Sequence, residues 1–328
     1  MMIEDIFRAL GDPTRLRIAR LLGAMELAVG ELAQVLGQSQ PRVSRHVGIL
    51  CDAGLAERRR EGSWVFLRQS ETSGPVVEAV QQLLALAETD EPAFAALCEA
   101  DRRKLAAIRE SREAAAETYF ARHASEWDEL RALHSADAEV EGHLVEALGD
   151  APLGHLLDIG TGTGRIAELF APHAEHIVAL DKNLEMLRVA RAKLQHLPTA
   201  RIELVQGDFA DLPLADASFD TVVLHQVLHF APNPAPALAE AARVLRGGGR
   251  IAIVDFASHN HETLRIRHQH VRLGFSDRQM ADLLRAAGFT APATPVALEG
   301  GALVVKIWIA KRRAAAATPK TPALETTA

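Results

Sequence analysis

Three carboxylates and a glycine turn carry the chemistry open to this chain. The run His155-Leu156-Leu157-Asp158-Ile159-Gly160-Thr161-Gly162-Thr163-Gly164-Arg165 takes an apolar strand into glycines at alternate positions, then into a helix from Ile166 to Phe170. A turn that sharp needs positive φ or a missing side chain, and glycine supplies both. A small ligand can then lie on bare backbone at the strand's C-terminal end, the edge where open α/β sheets bind ligands. Asp181, followed by Lys182, closes the next strand, where an acid can accept from both hydroxyls of a ribose. Asp208-Phe209 follows the third strand, where a carboxylate and a ring can hold an adenine edge and face. Asp158 places negative charge beside the turn. That suits a ligand carrying ammonium and sulfonium charge better than a pyrophosphate, which wants bare helix N–H groups.

The elements that position these groups alternate. Strands are expected near 155–159, 176–180, 201–206, 219–224 and 250–256, then a helix over 276–287 and a last strand over 302–310. Such spacing means a mostly parallel sheet covered on both faces. His225 and His229 follow the fourth strand, at the rim where an acceptor would sit. Either is a candidate base or a packing residue, and His225 is also a candidate cofactor contact; a base is needed only if the acceptor carries a proton. The only cysteines are Cys51 and Cys98, so no thiolate nucleophile is available in this half. His259, His261, His268 and His270 share their stretch with Arg265, Arg267 and Arg272 and match no closed ligand set, so no metal is expected. Asn233-Pro234-Ala235-Pro236 lacks the terminal aromatic that would stack on a flipped base.

The first seventy residues are a different device. Gly11 stops one short helix, Asp12-Pro13 starts a second, and Val29, Leu32, Ala33 and Leu36 mark a third that ends at Gly37. Ser39 caps a fourth whose buried stripe is Val43, Val47 and Leu50 and whose other face carries Gln40, Arg42, Ser44, Arg45 and His46. A polar, basic second helix after a glycine turn describes a helix-turn-helix with its recognition helix. The alternating run from Glu57 to Leu67, with Arg58, Arg59 and Arg60, reads as a β-hairpin wing with arginines placed for phosphates.

The whole chain sets looser bounds. Its 328 residues suggest two domains, and 48% hydrophobic with 24% charged residues is ordinary for a soluble globular protein. No run is long enough to span a membrane, and two cysteines fit a reducing cytoplasm. The net charge of −7 gives no global argument for nucleic acid, but residues 1–70 hold ten Arg against eight Asp and Glu, 10 − 8 = +2. Two further helices are expected, one opened by Gly74-Pro75 with Val76, Val80, Leu83, Leu84 and Ala87 on one face. The other starts at Glu91-Pro92, runs through Phe94, Leu97, Leu105 and Ile108, and reaches toward Trp127. They serve as a dimer interface or as a helical spacer, and Tyr119, Phe120 and Trp127 are assigned to core.

The N-terminal segment resembles the ArsR/SmtB winged-helix repressors. Leu10-Gly11-Asp12-Pro13-Thr14-Arg15-Leu16-Arg17-Ile18, Ser39-Gln40-Pro41-Arg42-Val43-Ser44-Arg45-His46 and Arg59-Arg60-Glu61-Gly62-Ser63-Trp64-Val65 carry the likeness. It implies a homodimer that reads an inverted repeat in double-stranded DNA and is released by a ligand. Metal sensors of that family place paired cysteines where this chain has Glu26-Leu27-Ala28-Val29-Gly30-Glu31-Leu32, so the soft-metal site lacks its ligands.

The C-terminal segment resembles the class I S-adenosylmethionine-dependent methyltransferases. The match runs from the Asp158–Gly164 turn through Ala179-Leu180-Asp181, Gly207-Asp208-Phe209 and Phe219-Asp220-Thr221-Val222-Val223-Leu224 to Ala242-Arg243-Val244-Leu245-Arg246-Gly247-Gly248-Gly249-Arg250. It implies that Gly160, Thr161, Gly162 and Gly164 lie along the methionine part, with Asp181 on the ribose and Asp208-Phe209 on the adenine. The expected organisation is a winged helix over 1–70, a helical dimerisation or connector region over 71–118, a Rossmann-like methyltransferase domain over 119–310 with its last strand antiparallel, and a disordered tail over 311–328. The expected function is a transcription regulator sensing S-adenosylmethionine or S-adenosylhomocysteine. The alternative is a working small-molecule methyltransferase whose winged helix serves autoregulation.

Overall fold

Asp12 shows how locally the first helices are set: its Oδ1 accepts from the Arg15 N–H at 3.0 Å, starting α2 (Pro13–Ala24) after α1 (Ile3–Leu10). The computed structural model describes residues 3–24, 27–61, 64–70, 74–127, 137–149, 151–198, 201–299 and 303–313. They divide into two compact units. The first holds the residues up to His123 together with His229–Asn233 and Ala257–Gly274; the second holds Ala124–Leu228, Pro234–Phe256 and Phe275 onward.

In the first unit, β1 (Leu27–Ala28) leads into α3 (Val29–Leu36), which ends at Gly37 with φ 64°, a conformation glycine adopts freely. Glu31 is buried and accepts from the Ala28 N–H at 2.9 Å, so the position compared above with metal-sensor thiolates holds a helix cap. Then α4 (Gln40–Asp52) buries Val43, Val47 and Leu50 as its spacing predicts. Ser39 precedes it, but its hydroxyl makes no capping bond; the Ser39 carbonyl accepts from Arg42 and Val43 instead. The hairpin of β2 (Ala56–Glu61) and β3 (Trp64–Gln69) takes β1 as a third strand, in the order β1-β3-β2.

Two helices complete the packing, α5 (Gly74–Asp90) and the 32-residue α6 (Pro92–His123). The buried stripe of α5 differs from expectation: Val77, Val80 and Leu84 enter the core, while Leu83 is exposed and Val76 lies at the margin. Buried Cys98, Asp101 and Leu105 form the inner stripe of α6. Arg17 donates to both Asp101 oxygens, at 2.6 and 2.5 Å, fastening α6 to α2.

The second unit begins with a 3-10 turn, Ala124–Glu126, and α7 (Asp137–Leu148). There follow β4 (His155–Ile159), α8 (Arg165–Phe170), β5 (His176–Asp181), α9 (Leu184–Leu194), β6 (Ile202–Gln206) and β7 (Phe219–His225). After α10 (Ala235–Val244) and β8 (Leu245–Phe256), the short α11 (Thr263–His268) lies in the loop assigned to the first unit. The second unit closes with α12 (Asp277–Ala286), β9 (Val296–Leu298) and β10 (Val305–Lys311). The sheet order is β6-β5-β4-β7-β8-β10-β9, with β4 to β8 parallel and β10 antiparallel to β8. Leu157, Val178, Val222 and Ile251 are buried toward one face and Leu156, Ile177, Val223 and Ala252 toward the other, which is why the central strands carry consecutive apolar residues. The sheet departs from the expected strand bounds in two places. β8 begins at Leu245 and includes the Gly247–Gly249 run, and β9 adds an edge strand too short to show a period. Arg312 bridges Phe289 beyond β10; the expected tail past residue 313 lies outside the described residues.

Candidate functional site

Gly160 stands at φ 72°, its N–H and that of Thr161 donating to the Leu180 carbonyl at 2.8 and 2.9 Å, which turns the chain back across the end of β5. A Cβ at Gly160 would strike the Val227 side chain, and one at Gly164, φ 83°, would lie 2.8 Å from Leu194 Cδ1. Gly162 differs: a Cβ there would meet only the Trp127 indole, 3.6 Å from its Nε1. Trp127 is half-buried and lies on the turn, which corrects its assignment to core.

The acids sit where the strands end. Asp158 is buried in β4 and accepts from the Thr161 hydroxyl at 2.5 Å. Asp181 ends β5; its Oδ2 accepts from the Gly162 N–H and its Oδ1 from the Asn183 N–H, both at 2.8 Å. Burial pushes the Asp181 carboxyl up, against the pull of these backbone donors. Asp208 follows β6 and pairs with Lys182 Nζ at 3.0 Å, a contact open to solvent and therefore weak. Phe209 is half-buried beside it, packed against the sheet core. His225 ends β7, buried, and Gln226 follows with φ 56°, a strained conformation for a residue with a side chain, at the same edge of the sheet. Sequence patterning carries no signal for that strain. Nor does it disclose the bidentate pair of Arg165 with Glu141 on α7, at 2.7 and 2.6 Å, which anchors the residue after the glycine turn and raises the Arg165 pKa.

The two histidines considered together part company. His225 belongs to the second unit, whereas buried His229 belongs to the first, its ring 4.2 Å from that of His270 and 4.0 Å from Phe230. Tyr119 and Phe120, assigned to core, are half-buried instead: the Tyr119 hydroxyl is 3.0 Å from His268 Nδ1, and Phe120 meets Phe230 edge-on at 4.9 Å. Among the described residues no three His, Cys, Asp or Glu side chains are grouped as metal ligands.

On α4, Gln40, Arg42, Ser44 and Arg45 are exposed along one face. His46 turns away from them, Nδ1 3.6 Å from Asp12 Oδ1. Arg58 donates to the Ser44 carbonyl at 3.2 Å, joining wing to recognition helix. Arg59 and Arg60 stand opposite Phe66 and Val65 in the β2–β3 ladder; their side chains lie outside the described ones.

A helix-turn-helix with a hairpin wing, and a mostly parallel sheet with a glycine turn and strand-end acids, define a DNA-binding module joined to a Rossmann-like methyltransferase fold. Residues 10–59 match the family described as a helix-turn-helix domain, and residues 157–253 the family described as a methyltransferase domain. An uncharacterised 37.1 kDa protein in transposon Tn4556 of Streptomyces fradiae is 34% identical over 165 residues, 45% of this chain and 47% of its own length. Demethylmenaquinone methyltransferase of Renibacterium salmoninarum is 36% identical over 114 residues, 35% of this chain and 46% of its own. The chain thus spans about half the length of these curated relatives. The fold is shared with the 1,6-didemethyltoxoflavin-N1-methyltransferase of Burkholderia thailandensis, whose structure holds 1,6-didemethyltoxoflavin and S-adenosylhomocysteine. That chain matches at 23% identity and TM-score 0.50, over 61% of this chain and 89% of its own. Among the described residues no helix is long and apolar enough to cross a membrane.

Proposed function

We propose that the protein is a transcription regulator whose DNA affinity responds to S-adenosylmethionine or S-adenosylhomocysteine bound at the Gly160–Gly164 turn. One observation carries the reading. A single helix, α6, holds Asp101 in its ion pair with Arg17 of the helix-turn-helix, and its C-terminal end runs directly into the turn before Trp127, which lies on Gly162. A ligand covering that turn meets Trp127, and unequal affinity for two settings of the helix is enough to shift DNA binding.

The residues present fit such a ligand. The Gly160 and Gly162 backbone lies along the methionine part with Thr161 and Gly164, Asp181 takes the ribose hydroxyls, and Asp208 with Phe209 and Lys182 takes the adenine. Buried Asp158 beside the turn favours a cationic ligand, so the sulfonium and its neutral demethylated product bind unequally. When bound, S-adenosylmethionine supplies an electrophilic methyl group. Gln40, Arg42, Ser44, Arg45 and the wing arginines Arg58, Arg59 and Arg60 read an inverted repeat as a homodimer, while His46, turned toward Asp12, stays out of the reading face. The dimer is supported by apolar side chains left exposed on the first unit: Ile3 and Phe7 on α1, Leu83 and Leu86 on α5. Two free cysteines support a reducing, cytoplasmic setting.

A second reading, a working small-molecule methyltransferase that regulates its own synthesis, is favoured by buried His225 at the ligand edge, which can orient or deprotonate an acceptor. Calorimetry with both nucleosides, combined with mobility shifts on a duplex enriched from random DNA, separates the two. Tight binding that changes duplex affinity is the expected result. Binding without any change in duplex affinity, together with methyl transfer to an extract component, would replace the sensor with the enzyme.

A further inference from the structure

Arg272 is, among the described residues, the one arginine or lysine that is buried, at 1% exposure. Burying a cation is costly unless its donors are used. Its Nε donates to the Ala231 carbonyl at 3.1 Å and its Nη2 to the Pro232 carbonyl at 2.6 Å, while its backbone N–H donates to the His229 carbonyl at 2.9 Å. The guanidinium lies 5.3 Å from the centroid of the Phe66 ring, and that of Arg265 lies 5.9 Å from the same ring. Phe66 is a wing residue in β3, paired with Ala28 on one side and Arg59 on the other. Cation–π attraction strengthens where water is excluded, and Phe66 is itself buried.

Both loops gripped by this arginine are continuations of the sheet. His229–Asn233 follows β7 by three residues, and Ala257–Gly274 follows β8 directly, yet both are built into the unit that carries the helix-turn-helix. The chain alternates between the units in six segments and so crosses five times, four of the crossings at the ends of these loops. A second attachment holds the same loops to α6, through Tyr119 with His268 and Phe120 with Phe230.

We infer that these two loops are a strap through which the wing and the ligand edge of the sheet change each other's state, with Phe66 and Arg272 as its buckle. The inference rests on the regulator reading for the identity of the ligand, and linkage makes the effect reciprocal. Displacing the 229–233 loop moves Arg272, then the β3 backbone at Phe66, then Arg59 across the ladder.

The test uses the full chain, a duplex enriched from random DNA and S-adenosylhomocysteine. Amide hydrogen exchange is followed in peptides covering 229–233 and 257–274 with and without duplex, and duplex affinity with and without S-adenosylhomocysteine. Wild type is compared with Phe66→Leu, which keeps apolar bulk and loses the ring, with Phe66→Tyr, which keeps the ring, and with Arg272→Lys, which keeps the charge and loses the planar face. In wild type and Phe66→Tyr, duplex is expected to slow exchange in both peptides, and S-adenosylhomocysteine to shift duplex affinity by roughly fivefold or more. In Phe66→Leu and Arg272→Lys both effects should vanish while circular dichroism stays unchanged. Exchange indifferent to duplex, or full coupling in both Phe66→Leu and Arg272→Lys, overturns the strap; a ligand effect that persists there assigns the coupling to α6 and leaves the regulator reading intact. A strap that answers duplex through Phe66 while S-adenosylhomocysteine leaves duplex affinity unchanged upholds the strap and sinks the sensor.

Discussion

The backbone N–H of Gly162 donates to Asp181 Oδ2 across 2.8 Å, joining the glycine turn after β4 to the acid that ends β5. The other oxygen of that carboxylate accepts from Asn183. A carboxylate offers about four acceptor sites. One is used by the Gly162 turn, and the backbone N–H groups of Asn183 and Lys182 bear on the same carboxylate. One side chain therefore ties the glycine turn to the end of β5 and to the start of α9.

Replacing Asp181 by Asn should weaken S-adenosylhomocysteine binding roughly 10- to 100-fold, the cost of losing charge-assisted hydrogen bonds. Calorimetry reads this directly. An unchanged dissociation constant would remove Asp181 from the site.

Trp127 lies on Gly162, so its emission should change on titration with S-adenosylhomocysteine. Trp127→Phe is expected to abolish the change. A response that survives the substitution would mean that Trp64 or Trp308 reports instead, and that the α6 end does not meet the ligand.

Asp101 is buried, and Arg17 uses two nitrogens to satisfy it. Arg17→Met should cost about 3 kcal/mol, because it strands a buried carboxylate. Arg17→Met with Asp101→Leu should recover most of that loss. Urea unfolding followed through the helical signal measures both, and equal stability of the single and double variants would contradict the pairing.

His268, bonded to Tyr119, is held below the ordinary imidazole value of 6.5 by burial first and then by Arg267 and His123. A histidine kept neutral in the native state takes up its proton on unfolding. Its contribution to stability is full above about pH 6.5 and is lost as pH falls through the native value. The urea midpoint should therefore drop on acidification from pH 8 to 5, and drop less in His268→Gln. Identical slopes would show that His268 does not titrate with folding.

Much of this molecule can be read along the chain. The middles of β5 (Ile177 to Leu180) and β7 (Val222 to Leu224) are apolar because both faces of a parallel sheet are covered, and the glycines at 160, 162 and 164 announce a turn that few other residues can make. Helix ends at Gly11, Gly37 and Asp12 are equally local, since a cap or a left-handed residue acts within one turn. Asp158, Asp181 and Asp208 lie at or near strand ends, a position set by topology that the strand–helix rhythm already implies.

Other features depend on partners far apart in sequence. Nothing in the spacing of Val76 to Ala87 tells which side of α5 meets α2, so the buried stripe turned toward Val77 and left Leu83 outside. His225 and His229 look equivalent four residues apart, yet the chain changes unit between them. Trp127 on Gly162, Glu141 on Arg165 and Phe66 beneath Arg272 are pairings of single side chains across 24 to 206 residues. They repeat with no period and follow no local rule. Only closure of the chain onto itself, which selects among many sterically possible neighbours by burial and hydrogen-bond satisfaction, brings them together.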